Sequence, residues 1–253
     1  LGNSGQGKSH LLKLLLINIL ESGKHVLCLD PEGEYREITE KLGGSYLDLT
    51  DGRYRINVLE PRMWSAEEKE SDPEAPAAFQ SGSVLSQHIA FLRDFFRSYK
   101  PFTEAEIDTI EIMLGRLYDS RGLRDDADYS RLLPQDYPTL SDLYDQMDAE
   151  YRRIRNGSGG NELYTPELLR SACLGLHSMC KGADSKFFDG HTNIRSARLI
   201  TFGVKDLMEG GKNIKDAMLF NVLSYINHAL IAGGNTAGIF EELHVFLSNP
   251  VAV

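Results

Sequence analysis

Short apolar runs alternate with amphipathic segments over the first 59 residues of the chain. The runs from His25 to Asp30 and from Ser45 to Leu49 have the length of buried strands. The segments from Ser9 to Leu20 and from Glu34 to Leu42 are predicted helices, because their apolar residues recur at helical spacing. Strands that alternate with helices form parallel sheets, since each crossover helix returns the chain to the same edge. The pattern therefore predicts an α/β core with a mostly parallel sheet.

Strand patterns are missing between residues 60 and 189. An acidic connection at residues 65–82 contains Pro and Ser and is expected to be mobile. The helices predicted after it run from Val84 to Tyr99, Thr103 to Ser120, Thr139 to Arg155 and Thr165 to Lys181. Capping boxes are predicted for the second and third, and an N-cap threonine followed by proline for the fourth. Apolar stripes on the first two helices predict a helical insertion with its own small core.

Strand patterns return near the carboxyl terminus. A β run extends from Arg198 to Val204, a long helix from Asn213 to Ile231, and a last strand from Thr236 to Glu241. The predicted organisation is therefore an N-terminal half of the core at residues 1–59, an all-α insertion at 60–189, and a C-terminal part of the core at 190–253.

The glycine loop at residues 2–9 reads G-N-S-G-Q-G-K-S and matches the phosphate-binding pattern G-x-x-x-x-G-K-S/T. Glycines let backbone N–H groups approach an anion closely, and the following helix adds unpaired N–H donors and a positive dipole. Lys8 is predicted to contact the β and γ phosphates, and Ser9 to ligate Mg²⁺. The residues predicted to bind a nucleoside triphosphate are Gly2, Asn3, Ser4, Gly5, Gln6, Gly7, Lys8, Ser9 and His10.

A phosphate loop of this kind normally follows a buried strand, yet the chain starts at Leu1. We therefore expect the sequence to be a fragment whose first strand lies upstream. The other end agrees, because residues 249–253 stop without an evident closing element. For the fragment alone we expect weak or no activity.

Two groups of acids follow predicted strands: Glu241 with Glu242, and Asp30 with Glu32 and Glu34. Both are expected near the nucleotide, because α/β sheets bind ligands at the carboxyl ends of their strands. In nucleotide hydrolases the first acid of a pair holds the Mg²⁺ shell and the second polarises water, which gives these roles to Glu241 and Glu242. The alternative for the pair is a solvated strand end. For the second group it is a Pro-Gly turn, which is compatible with an accessory role of its acids.

Composition excludes some classes of protein. With 253 residues, 42% of them apolar, the chain suffices for one α/β domain with an insertion or for two small domains. No apolar run approaches the roughly 18 residues of a bilayer-spanning helix. The net charge of −10 argues against coating of nucleic acid by the whole surface, although a local basic channel in an oligomer would not show in this sum. Nucleic acid is thus a possible partner that the charge does not support.

Three cysteines are too few for a disulfide framework and indicate a reducing compartment. Cys28 lies in an apolar run and is predicted to be a core residue. Cys173, His177 and Cys180 are spaced to lie near one face of a helix, as in a partial metal site. Since no fourth ligand is near in sequence and leucines share that face, we favour packing and expect no stable metal other than Mg²⁺.

The motifs together resemble the ATPase domain of the conjugative type IV secretion assembly ATPases of VirB/TraC type, in the FtsK/HerA group of P-loop motors. They are the glycine loop, D-P-E-G-E-Y, L-G-G-S-Y-L-D-L with R-I-N-V-L-E, F-F-D-G-H-T-N-I and I-F-E-E-L-H-V-F-L. The variant is similar to that of mobile elements in Gram-positive bacteria. The resemblance implies a RecA-like core with an all-α insertion, ATP and Mg²⁺ as cofactors, and a homo-oligomer that is a ring or a dimer. It also implies a cytoplasmic protein at the inner face of the membrane that contacts channel components.

By this resemblance, the phosphate-binding lysine falls on Lys8, the Mg²⁺-binding hydroxyl on Ser9 and the catalytic acid on Glu242. The family usually has Asp before that acid, whereas this chain has Glu241, which is one methylene longer. A longer acid can still order the Mg²⁺ shell through water, but octahedral geometry is demanding and turnover could suffer. We interpret the protein as an ATPase motor of a secretion channel. The alternatives are a DNA-translocating motor of the same superfamily and an assembly scaffold that binds ATP without useful hydrolysis.

Overall fold

The computed structural model describes residues 7–62, 83–125, 127, 129–157, 163–208 and 211–241. In this part of the chain the central sheet has four parallel strands in the order β2-β3-β1-β4. The strands are β1 (His25–Asp30), β2 (Ser45–Asp48), β3 (Leu199–Gly203) and β4 (Thr236–Phe240). Because all pairings are parallel, their carboxyl ends lie at one edge. The predicted α/β fold with a parallel sheet is confirmed.

The two faces of the sheet pack against different helices, because side chains alternate along a strand. Val26 and Cys28 of β1 face a small cluster formed with helices α1 (Lys8–Glu21) and α2 (Arg36–Lys41). Leu27 and Leu29 face the main core. The long helix α9 (Lys212–Gly233) belongs to the main core and also contacts β4.

Helices also fill the region between β2 and β3. They are α3 (Val84–Tyr99), α4 (Glu104–Ser120), α5 (Leu140–Arg155), α6 (Pro166–Cys180) and α7 (Ser185–Phe188), with 3₁₀ turns at Tyr129–Arg131 and Pro134–Asp136. One further short helix, α8 (Lys205–Met208), follows β3. The capping boxes of Thr103 with Glu106 and Thr139 with Asp142 are confirmed, as is the N-cap of Thr165. The predicted mobile connection, residues 65–82, lies outside the described residues.

Within the described residues the helical region has no separate core of its own, so that expectation is wrong. Its buried side chains form one continuous cluster with those of β1, β2, β3 and α9. The junction is the contact of α3 with α9, where the rings of Phe91 and Phe220 stack at 5.1 Å between centroids. Phe91 is buried and widens the apolar face of α3 enough to reach a second partner.

The three cysteines are free and buried. Cys28 packs in the smaller cluster, and Cys173 and Cys180 pack in the main core. Burial raises the pKa of the Cys173 thiol to about 11. His177 is exposed and lies edge-on to Tyr144, so it does not share the buried environment of the two thiols. Among the residues that the structure describes, no helix has the length and apolar character needed to cross a bilayer.

Candidate nucleotide site

The end of the glycine loop and the start of α1 lie at the carboxyl edge of the sheet. Gly7 is the N-cap of α1 and has a φ of 78°, a left-handed conformation that favours glycine. Because Gly7 has no side chain to cap the helix, the first N–H groups of α1 need another acceptor, and a phosphate is suited to this position. Predicted residues Gly2, Asn3, Ser4, Gly5 and Gln6, and the side chain of Lys8, lie outside the described part.

A hydrogen bond joins the start of α1 to the end of β4. The Ser9 Oγ donates to Oε1 of Glu241 at 2.5 Å, between residues 232 positions apart in sequence. Glu241 is only 7% exposed, and within the described residues its Oε2 is buried without a hydrogen-bond partner. The structure therefore brings these two predicted site residues together. Glu242 lies outside the described residues, and His10 is exposed on α1.

This pair fits a magnesium ion. A serine hydroxyl that donates a hydrogen bond to a carboxylate keeps its oxygen lone pairs free. Hydroxyl and carboxylate oxygens are the ligands that Mg²⁺ prefers. The unpartnered Oε2 of Glu241 is a buried acceptor that a metal-bound water can satisfy. The described part of the chain contains no group of three His, Cys, Asp or Glu side chains arranged to bind a metal directly.

Asp30 organises the turn after β1. It is completely buried, and its Oδ1 accepts hydrogen bonds from the N–H groups of Gly33 at 2.8 Å and Glu34 at 3.0 Å. Its Oδ2 accepts the N–H of Tyr35 at 3.0 Å and the hydroxyl of Tyr46 at 3.1 Å. Gly33 has a φ of 78°, which this tight turn requires. The predicted Pro-Gly turn is therefore present, and Asp30 is the residue that holds it.

Glu32 and Glu34, the other two acids of this turn, are exposed, unlike the buried Asp30. Glu34 forms an ion pair with Lys13 of α1 at 3.6 Å. The accessory role of Asp30, Glu32 and Glu34 toward a nucleotide stays a prediction.

Sequence reasoning missed two residues beside the candidate site, Tyr35 and Lys13. The side chain of Tyr35 is completely buried, and its pKa is raised by burial and next by the charge of Glu241. The ammonium of Lys13 lies over the Tyr35 ring, 5.3 Å from its centroid. Lys13 could have been found, because it follows Ser9 by one helical turn on α1. Tyr35 is the last residue of the motif D-P-E-G-E-Y, but no sequence pattern predicts that its side chain lies near Glu241.

A second, polar cleft of about 230 Å³ lies at the same edge, beside the ends of β2 and β3. Arg36 stacks on the ring of Tyr46 at 4.1 Å and pairs with Asp48 at 3.1 Å. Gly203 lines this cleft, and the Tyr46 ring packs so closely on its backbone that an added Cβ would come within 2.4 Å of the Tyr46 hydroxyl oxygen. The cleft shares Tyr46 with the Asp30 turn, so the two features are neighbours.

The chain is similar to known proteins in family and in fold. The family model of the helicase HerA central domain (DUF87) matches residues 1–161. Among solved structures, the chain is similar to VirB4 of Thermoanaerobacter pseudethanolicus, with a TM-score of 0.78 and 28% sequence identity. The match covers 97% of this chain and 60% of the VirB4 chain, so the sequence spans only part of the length of that relative. No curated protein matches the chain at a significant level.

Proposed function

The chain belongs to the helicase HerA central-domain family, and from this membership we propose that it is the ATP-hydrolysing core of a type IV secretion motor. The similarity to VirB4 supports this proposal, since it extends over 97% of the chain at 28% identity. The hydrogen bond between Ser9 and Glu241 is the single observation that carries the hydrolytic part of the proposal. It joins a hydroxyl of the phosphate loop to a strand-end acid, the arrangement that P-loop hydrolases use around Mg²⁺.

In the proposed mechanism, the glycine loop and the first turn of α1 bind the phosphates of ATP through backbone N–H groups, and Lys8 contacts the β and γ phosphates. Ser9 and Glu241 would hold Mg²⁺, which supplies positive charge beside the β and γ oxygens when it is bound. Ser9 would keep its hydrogen bond to Glu241, and its oxygen lone pairs would be free to ligate the metal. Glu242 orients and polarises the attacking water.

The proposal includes where the motor works and with what. The VirB4 relative supports a cytoplasmic protein at the inner face of the membrane that contacts channel components and assembles as a homo-oligomer. We propose the conjugative form of this system from the combined motifs. The proposed units are the core halves at residues 1–59 and 190–253 and the helical insertion at 60–189.

The test is steady-state ATP hydrolysis by the full-length protein and its variants. We expect Lys8→Ala to abolish ATP binding or turnover, and Glu242→Gln to bind ATP but lose turnover by about a hundredfold or more, as expected for removal of a general base. Glu37→Gln is the matched control, because Glu37 is an exposed acid that pairs with Lys41 on α2. Unchanged hydrolysis by Lys8→Ala would refute the assignment.

Two observations favour other functions. The match to a helicase domain favours a DNA-translocating motor, which an assembled ring would reveal by DNA-stimulated turnover. The longer acid Glu241 favours a scaffold that binds ATP with little hydrolysis. Turnover that disappears in Glu242→Gln would exclude the scaffold.

A further inference from the structure

Two buried polar atoms near the candidate metal site lack hydrogen-bond partners within the described part of the chain. They are the hydroxyl of Tyr35 and Oε2 of Glu241. The first is a donor and the second an acceptor. A buried polar atom without a hydrogen-bond partner lowers the stability of the folded protein, so each such atom in a native structure needs an explanation.

The fold holds the two groups next to each other. Strands β1 and β4 are paired, with Leu29 opposite Phe240, so the residues that follow these two strands are neighbours at the carboxyl edge. Asp30 accepts the N–H of Tyr35 and fixes its backbone there. The ring of Tyr35 packs in the same small cluster as Ile239 of β4. Beyond the effect of burial, the Glu241 carboxylate is close enough to raise the pKa of the phenol, both by its charge and by accepting from the hydroxyl. No hydrogen bond of ordinary length and angle joins the two groups in the described structure.

We propose that Tyr35 is a positioning residue for Glu241, and that its hydroxyl donates to Oε2 when Mg·ATP is bound. This inference rests on the proposed function. Ser9 already donates to Oε1, so a second donor at Oε2 would hold both oxygens of the carboxylate. A glutamate has one more rotatable bond than an aspartate, and two donors remove that freedom. Tyr35 thereby compensates for the longer acid at position 241.

The test is the replacement Tyr35→Phe in the full-length protein, which removes one oxygen. Without ligand, the thermal unfolding midpoint should stay the same or rise, because an unpaired buried hydroxyl is removed. In Mg²⁺ titrations of protein saturated with a non-hydrolysable ATP analogue, the affinity should fall by about tenfold, as expected for a lost hydrogen bond to a charged group. KM for Mg·ATP should rise in parallel.

Two further variants separate positioning from packing. Tyr118→Phe is the control, since Tyr118 is also completely buried but donates its hydroxyl to the carbonyl of Leu59 at 2.9 Å, in the helical region. It should lower the unfolding midpoint and leave the Mg²⁺ affinity unchanged. In a Glu241→Asp background, Tyr35→Phe should change Mg²⁺ affinity by less than about twofold, because the shorter acid cannot reach the phenol.

Three results would overturn the inference: wild-type Mg²⁺ affinity in Tyr35→Phe, the same loss in the Glu241→Asp background, or an unliganded midpoint that falls as it does in Tyr118→Phe. Failure of the proposed function is a separate result. It would appear as absence of Mg·ATP binding in the wild-type protein, before any Tyr35 variant is compared.

Discussion

Replacing Asp30 by Asn should destabilise the protein far more than the near-identical size of the two side chains suggests. Four donors point at the buried carboxylate: the N–H groups of Gly33, Glu34 and Tyr35, and the hydroxyl of Tyr46. An ionised carboxylate only accepts hydrogen bonds, whereas an amide has one accepting oxygen and two donor hydrogens. Asn therefore cannot satisfy this set of donors.

The size of the effect follows from which bonds survive. If the amide oxygen takes the place of Oδ1, the bonds from Gly33 and Glu34 remain. The amide nitrogen then faces the N–H of Tyr35, so one charge-assisted bond is lost and one buried donor is left unpaired, while the Tyr46 hydroxyl can rotate to accept. We expect a loss of about 2–4 kcal/mol in the free energy of unfolding. For a protein of this size, the unfolding midpoint should fall by roughly 5–15 °C.

Thermal and urea unfolding of the purified protein measure this change, with Glu32→Gln as the matched control. Glu32 is an exposed acid of the same turn, so its amide should alter the free energy of unfolding by less than about 0.5 kcal/mol. A loss below about 1 kcal/mol in Asp30→Asn, or one equal to that of the control, would show that the Asp30 bonds do not hold the turn. The reasoning would then be refuted.

Two other substitutions test the helical region by urea unfolding. Arg62 is 3% exposed and donates to Asn221 Oδ1 at 2.7 Å and to Ser224 Oγ at 2.6 Å. Because Arg62→Met leaves these buried acceptors unpaired, it should lower the free energy of unfolding by about 2–4 kcal/mol, and a loss under about 1 kcal/mol would contradict this. Hydrogen bonding to Arg153 lowers the pKa of Glu150 from 4.5 to about 2. A carboxyl group whose pKa is lower in the folded than in the unfolded protein stabilises the fold at pH values above its unfolded pKa. The free energy of unfolding of the wild type should therefore exceed that of Glu150→Gln by about 1–2 kcal/mol at pH 7, and this difference should shrink between pH 4.5 and 2. A difference in the free energy of unfolding that stays constant with pH would show that the ionisation of Glu150 does not stabilise the fold.

Local signals account for the parts of the fold that could be predicted. Strand β1 was predicted at its observed bounds, because a buried parallel strand is a short apolar run bounded by turn residues. Helix α3 was also predicted at its observed bounds, and the caps of α4, α5 and α6 were found, since each cap is a short motif. The short helices α7 and α8 were missed, because four residues carry too little periodicity.

Contacts between distant segments could not be predicted. Periodicity shows which face of a helix is buried but not what covers it, so the packing of Phe91 on Phe220 was missed. The proximity of Tyr35 to Glu241 depends on the pairing of β1 with β4, which no local pattern specifies. The approach of Ser9 to Glu241 was expected only because both belong to motifs whose positions at a sheet edge are general.

The continuous core bears on how the proposed motor would transmit force. Helix α3 packs on α9, and Arg62, which precedes α3 in the helical region, donates to the carbonyl and side chain of Asn221 on α9. Parts that share a close-packed interior do not slide past each other without losing buried contacts. The core and the helical region, as described, therefore behave as one packed body. Movement driven by ATP is then expected at the boundaries between neighbouring subunits rather than between the core and its insertion.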